Sequence, residues 1–119
     1  IALFKESLVA APPSREQQKD IDLLLSMGEL FTLIVYGQLV LENARIYSID
    51  NDLVDQIFDF MVRDFSKFAL QVLGKPSATP DQEGYCRKMI MKPVFDAERY
   101  ERVWSGQVLP LKDAYQMNK

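Results

Sequence analysis

Apolar residues recur at helical spacing along most of the chain, and in one stretch they outrun that spacing. Between Gly28 and Glu42, the residues Leu30, Phe31, Leu33, Ile34, Val35, Leu39, Val40 and Leu41 spread around most of a helix circumference. An ordinary amphipathic helix keeps one apolar stripe and a solvated back. The segment is therefore predicted to be central, covered on several sides by a bundle or by an interface. Ser14 stands three residues before Gln17, the spacing of a capping box, so a helix is predicted from near Arg15 to about Ile46. Gly28 and Gly37 lie inside it, and each costs roughly 1 kcal/mol against alanine in a helix interior. Close approach of a partner backbone, or a tolerated local bend, would account for them. Gly28, Phe31, Val35 and Gly37 are the candidate interface.

The remaining elements follow from caps and stripes. Ile1, Leu3, Phe4 and Leu8 suggest the tail of a helix ended by Pro12 and Pro13. Asp50, Asn51 and Asp52 form a turn with acidic charge at the start of a second long helix, where the helix dipole favours it. Val54, Ile57, Phe58, Met61, Phe65, Phe68, Ala69 and Val72 give that helix an i, i+3, i+4 stripe as far as Gly74. Thr79-Pro80-Asp81-Gln82 combines a cap, a first-turn proline and a closing glutamine, which predicts a third helix to about Met91. Asp96 caps a short fourth helix over Ala97 to Trp104, and Leu111, Ala114 and Tyr115 suggest one further turn. No alternating run is long enough for a strand. The expectation is a single all-α domain over residues 1–119, a bundle of about four helices with the first two long and antiparallel.

Composition narrows the function more than the fold. The 119 residues are 48% hydrophobic and 26% charged, ordinary for a globular chain. A net charge of -3 is divided unevenly: seven basic against thirteen acidic residues up to Glu83, and seven against four beyond it. No concentrated basic face results, so no nucleic-acid partner is expected. Cys86 is the single cysteine, which gives no intrachain disulfide and no sign of an oxidising compartment; a cytoplasmic location is the default expectation. The run Leu30 to Leu41 would extend about 18 Å as a helix, short of a bilayer core, and no membrane span is expected. The chain opens at Ile1 without a methionine, a basic n-region or a small-residue cleavage site, which suggests a piece of a larger protein.

Candidate chemistry is sparse. Histidine is absent, which removes the commonest metal ligand and the commonest neutral-pH general base. Glu29, Glu42, Asp55 and Asp59 lie on or near the long helices, but a carboxylate-bridged di-iron site also takes a histidine three residues after a glutamate on two helices. Cys86 lies beside Arg87 and Lys88, which would lower its pKa if they clustered; a small core residue is the competing reading. Arg87, Lys88, Lys92, Arg99 and Arg102 form either a basic edge or a solvated face with helical ion pairs. Tyr36 and Gln38, inside the most apolar stretch, need buried partners or line a ligand pocket. Phosphate loops, zinc knuckles and dinucleotide fingerprints have no match. No catalytic, cofactor-binding or metal-binding residue is assigned.

Four segments carry a resemblance. Gly28-Glu29-Leu30-Phe31-Thr32-Leu33-Ile34-Val35-Tyr36-Gly37-Gln38, Val62-Arg63-Asp64-Phe65-Ser66, Arg87-Lys88-Met89-Ile90-Met91-Lys92-Pro93 and Lys112-Asp113-Ala114-Tyr115-Gln116-Met117 resemble the extreme carboxy-terminal region of certain bacterial acyl-CoA dehydrogenases. The resemblance spans nearly the whole chain. It implies a non-catalytic helical domain after an FAD-dependent core, serving stability or subunit assembly. In such a parent a glutamate base takes the α proton of a fatty acyl-CoA and flavin N5 accepts the β hydride. The core's arginine-aromatic-glutamate-glycine segment has no match here, so FAD is implied for the parent and no cofactor for this segment. The implied partner is the dehydrogenase core of the same polypeptide or a second copy, with a homo-oligomer expected. The alternative is an independent helical module that binds a partner or a small apolar ligand.

Overall fold

The computed structural model describes residues 1–114, and those residues form helices and connecting loops without a strand. Five α-helices appear in this order: α1 Ala2–Ala10, α2 Ile21–Tyr47, α3 Asn51–Leu73, α4 Pro80–Met89 and α5 Ala97–Val103. The expected count of about four is exceeded because the apolar opening segment forms a helix of its own. A π-helical turn, Trp104–Val108, and a 3₁₀ turn, Leu109–Leu111, follow α5. The anticipated tail turn continues to Ala114, whose N–H donates to the Leu111 carbonyl at 3.1 Å, while Tyr115, Gln116 and Met117 lie outside the described residues.

The first long helix begins later than the Ser14 box predicts. That box does form: the Ser14 N–H donates to Gln17 Oε1 at 2.9 Å, and the Gln17 N–H donates to Ser14 Oγ at 3.2 Å. It closes only one 3₁₀ turn, Gln17–Lys19. Asp20 then turns extended and restarts the chain as the cap of α2, accepting from the Leu23 N–H at 3.1 Å. Gln17 explains the interruption. Its side chain is buried, and its amide donates to the Ser77 carbonyl at 2.7 Å and to Gln82 Oε1 at 2.8 Å. Gln82 donates in return to Gln17 Oε1 and to the Ala11 carbonyl. A reciprocal amide pair therefore ties the turn before α2 to the start of α4.

The other caps match their sequence signals. Asp50 accepts from the Asp52 N–H at the start of α3, Thr79 and Gln82 complete both bonds of the box on α4, and Asp96 accepts from the Arg99 N–H on α5. At the end of α2, Ser48 takes the left-handed conformation with φ of 51°.

The core is small and lies toward the start of α2. Phe4, Leu23, Leu30, Ala69, Val72, Cys86 and Met89 are buried together, with Phe4 edge-on to Phe65 at 6.5 Å between ring centroids. Packing joins α2 to α3, and α4 to both α3 and α1. Two ion pairs fasten α5 to α3, Arg99 to Asp59 and Arg102 to Asp52. The loop after α4 is held by one hydroxyl: Ser66 Oγ donates to the Met91 carbonyl at 2.6 Å and accepts from its N–H at 2.8 Å.

Candidate docking face and apolar cleft

Because α2 turns through 100° per residue, its apolar excess resolves into two faces with different fates. Leu23, Ser26, Leu30 and Gly37 point inward and are buried. Ser26 Oγ has two acceptors for its single proton, the Asp22 carbonyl at 3.0 Å and Gln71 Oε1 on α3 at 3.1 Å, so even the polar member of that face is satisfied. On the other side, Ile21, Leu25, Val35, Leu39 and Ile46 form a row along the helix, flanked by Leu24, Phe31 and Tyr36, and all are exposed. From Ile21 to Ile46 the row extends about 38 Å. Single exposed apolar residues are common on soluble proteins, whereas a row along one helix face, here interrupted by Gly28, Thr32, Glu42 and Asn43, marks a surface for something else.

The candidate interface residues divide between these faces. Gly28, Phe31 and Val35 belong to the outer one, and a Cβ built on Gly28 meets nothing within 4 Å beyond the adjoining helix backbone and chain neighbours. Gly37 belongs to the inner one: its Cβ would lie 3.2 Å from Met61 Cε and 3.4 Å from Phe58 Cε1. One glycine thus permits a close helix crossing inside the chain, and the other stands on open surface. Tyr36 and Gln38 are both exposed, so the buried hydroxyl and amide anticipated there do not arise.

The length and composition of α2 also bear on what could cover it. Its 27 residues include an 18-residue window with mean hydropathy 1.7, long and apolar enough to cross a membrane, and 22% of that window is buried in the chain. The shorter run from Leu30 to Leu41 understated this, because the helix gains apolar turns on both sides.

No family model, curated protein or solved structure matches the chain. Its surfaces therefore have to be read from their own chemistry.

Below the outer row, on the opposite side of α2, the helices leave an apolar cleft of about 250 Å³. Phe4 lies on one wall, Ile34 and Leu41 on a second, and Phe58 and Met61 on a third, with Met91 from the loop after α4 at the edge. Gln38 and Lys88 are its polar lining residues, and both are exposed. The Lys88 ammonium rests 5.6 Å from the centroid of the Tyr85 ring. Nothing local in the sequence marks this cleft, since its walls come from four separate parts of the chain.

The titratable groups have structural settings. Burial pushes the Cys86 thiol above its ordinary pKa, helped by the negative charge of Glu83, which makes it a core residue rather than an activated nucleophile. The Leu23 N–H and Lys75 hold Asp20 below the usual carboxylate range, and Arg102 does the same for Asp52. Among the described residues no three acidic or cysteine side chains gather as a metal site. The basic residues of the second half do not form one edge: Arg87 pairs with Glu83, Arg99 with Asp59 and Arg102 with Asp52, leaving Lys88 and Lys92 apart from those pairs.

Proposed function

We propose that this chain is a non-catalytic helical accessory domain that docks through the outer face of α2 onto the catalytic core of an FAD-dependent acyl-CoA dehydrogenase in the same polypeptide. The observation that carries docking is the exposed row from Ile21 to Ile46. Burying such a row is favourable by about 25 cal/mol for each Å² removed from water, and the contacts within the chain leave it uncovered. The four resembling segments supply the identity of the core. The role is stabilisation or assembly of a cytoplasmic flavoenzyme acting on fatty acyl-CoA, with FAD bound by the core.

In this reading the chain is a helical bundle with α2 and α3 antiparallel. Support comes from contacts that rise along one helix as they fall along the other: Ser26 meets Gln71, whereas Gly37 approaches Met61 and Phe58. The charged residues Asp22, Glu29, Glu42 and Arg45 on α2, together with its packing on α3, favour a protein surface over a bilayer as its cover.

Two measurements test the proposal. Native protein captured through an antibody to this domain should carry flavin absorbance and reduce an electron-accepting dye when given a fatty acyl-CoA; colourless, inactive protein overturns the dehydrogenase assignment. For docking, Val35→Glu with Leu39→Glu should release the domain from the core and expose it to protease in the native protein, with helix content unchanged by circular dichroism. Unaltered protease protection rejects the face. Self-association of the isolated chain that the same variant abolishes would assign the face to a second copy instead, and carbonate-resistant membrane retention would assign it to a bilayer.

A further inference from the structure

The cleft on the inner side of α2 has a chemistry distinct from that of the docking row. We infer that it binds a single-chain amphiphile, an aliphatic tail with an anionic head such as a medium-chain carboxylate, with the tail between α2 and α3 and the head at Lys88. Its volume of about 250 Å³ compares with roughly 150 Å³ for a dry apolar cavity that takes up benzene. The lining suits a flexible tail. Met61 and Met91 present unbranched thioethers that adjust to the shape of an occupant, while Ile34, Leu41 and Phe58 supply fixed apolar walls.

A peptide fits less well. An extended strand would bring backbone N–H and C=O groups into walls that offer few partners, and each unpaired buried group is costly. A helix satisfies its own backbone but is about 10–12 Å across, and one turn of it exceeds the cleft's volume of about 250 Å³. An aliphatic tail needs no partners inside. Its head needs one at the edge, and Lys88 carries the one charged side chain among the described lining residues. Among the described residues Lys88 makes no ion pair, and its ammonium is occupied only by the face of Tyr85, which it can leave for a carboxylate at the expense of a weak exposed contact.

The test is calorimetric titration of the 119-residue chain with decanoate below its micelle concentration, beside hexanoate and decanol. Decanoate should saturate at one molecule per chain, with affinity falling about fourfold for each methylene removed toward hexanoate. Lys88→Glu should weaken decanoate by about tenfold and leave decanol within about twofold. Leu41→Trp, placed at a half-exposed wall position, should abolish binding of both while helix content is retained. Absence of saturable decanoate binding, indifference to chain length, or binding that survives Leu41→Trp overturns the site. Equal loss of decanoate and decanol in Lys88→Glu overturns the anionic head. Because Val35→Glu with Leu39→Glu alters the opposite face, that variant should bind decanoate normally, which separates failure of the cleft from failure of the docking face.

Discussion

Replacing Gly28 with alanine places a methyl group on the outer side of α2, seven residues into a 27-residue helix, where nothing beyond the adjoining helix backbone and chain neighbours lies within 4 Å of the new carbon. With nothing to collide with, the change is reduced to backbone preference, and alanine should stabilise the helix by about 0.8–1.0 kcal/mol. Part of that gain comes from the smaller conformational freedom of the unfolded chain. With a urea dependence of about 2 kcal/mol per molar, the unfolding midpoint should rise by about 0.5 M with unchanged slope. Gly37→Ala supplies the internal control. It offers the same backbone gain but sets a carbon 3.2 Å from Met61 Cε and 3.4 Å from Phe58, so the methionine tip must yield and the midpoint should rise less or fall. Urea unfolding followed by circular dichroism at several protein concentrations reads both variants. A lower midpoint for Gly28→Ala at the greatest dilution refutes the open position of Gly28. A midpoint that falls only at high concentration places that glycine against another copy.

Leu23 is 1% exposed, and Leu23→Ala should cost about 2–5 kcal/mol in denaturant unfolding, a loss that an intact midpoint would contradict. The buried Cys86 thiol, with its pKa raised by desolvation, should react slowly with a thiol-specific disulfide reagent at neutral pH and rapidly in urea; fast reaction in the native state contradicts its burial. Acid should destabilise the fold through Asp20 and Asp52. Their folded pKa values lie below the ordinary 3.8, so their contribution is full above that value and drains away as pH falls through the lowered ones, because the unfolded chain binds protons first. Stability that stays constant from neutral pH down to pH about 2 would contradict those pairings.

The helices were legible where the signal was local. The stripe from Val54 to Val72, the box at Thr79 and the cap at Asp96 concern residues three or four apart, and the bonds of the box and the cap are made within one turn. The start of α2 was not legible, because the burial of Gln17 depends on Ser77 and Gln82, more than fifty residues away in the chain. Ser14 and Gln17 gave a sound local signal that governs only a single turn. The surplus of apolar residues on α2 was visible, but its division was not: assigning Gly37 to an inner crossing and Gly28 to an outer face required the position of α3. Beyond Gln38, the cleft left little trace in the sequence, since Phe4, Ile34, Met61 and Met91 gain a shared meaning only after folding.

The reciprocal amides of Gln17 and Gln82 join positions 65 residues apart, and this makes them a latch on the timing of the fold. Closing so long a loop carries an entropic cost that contacts between neighbouring helices avoid, so the α2 and α3 pair can form before the first nineteen residues settle. Those residues are expected to be released by local opening rather than by global unfolding when the latch is removed. When the latch opens, α1 moves away with Phe4, and one wall of the cleft goes with it. Hydrogen exchange in Gln17→Ala should therefore accelerate in α1 while α3 retains its protection, and an occupant of the cleft should slow that same opening. A small amide pair that is not itself among the lining residues would then set how often that space admits anything.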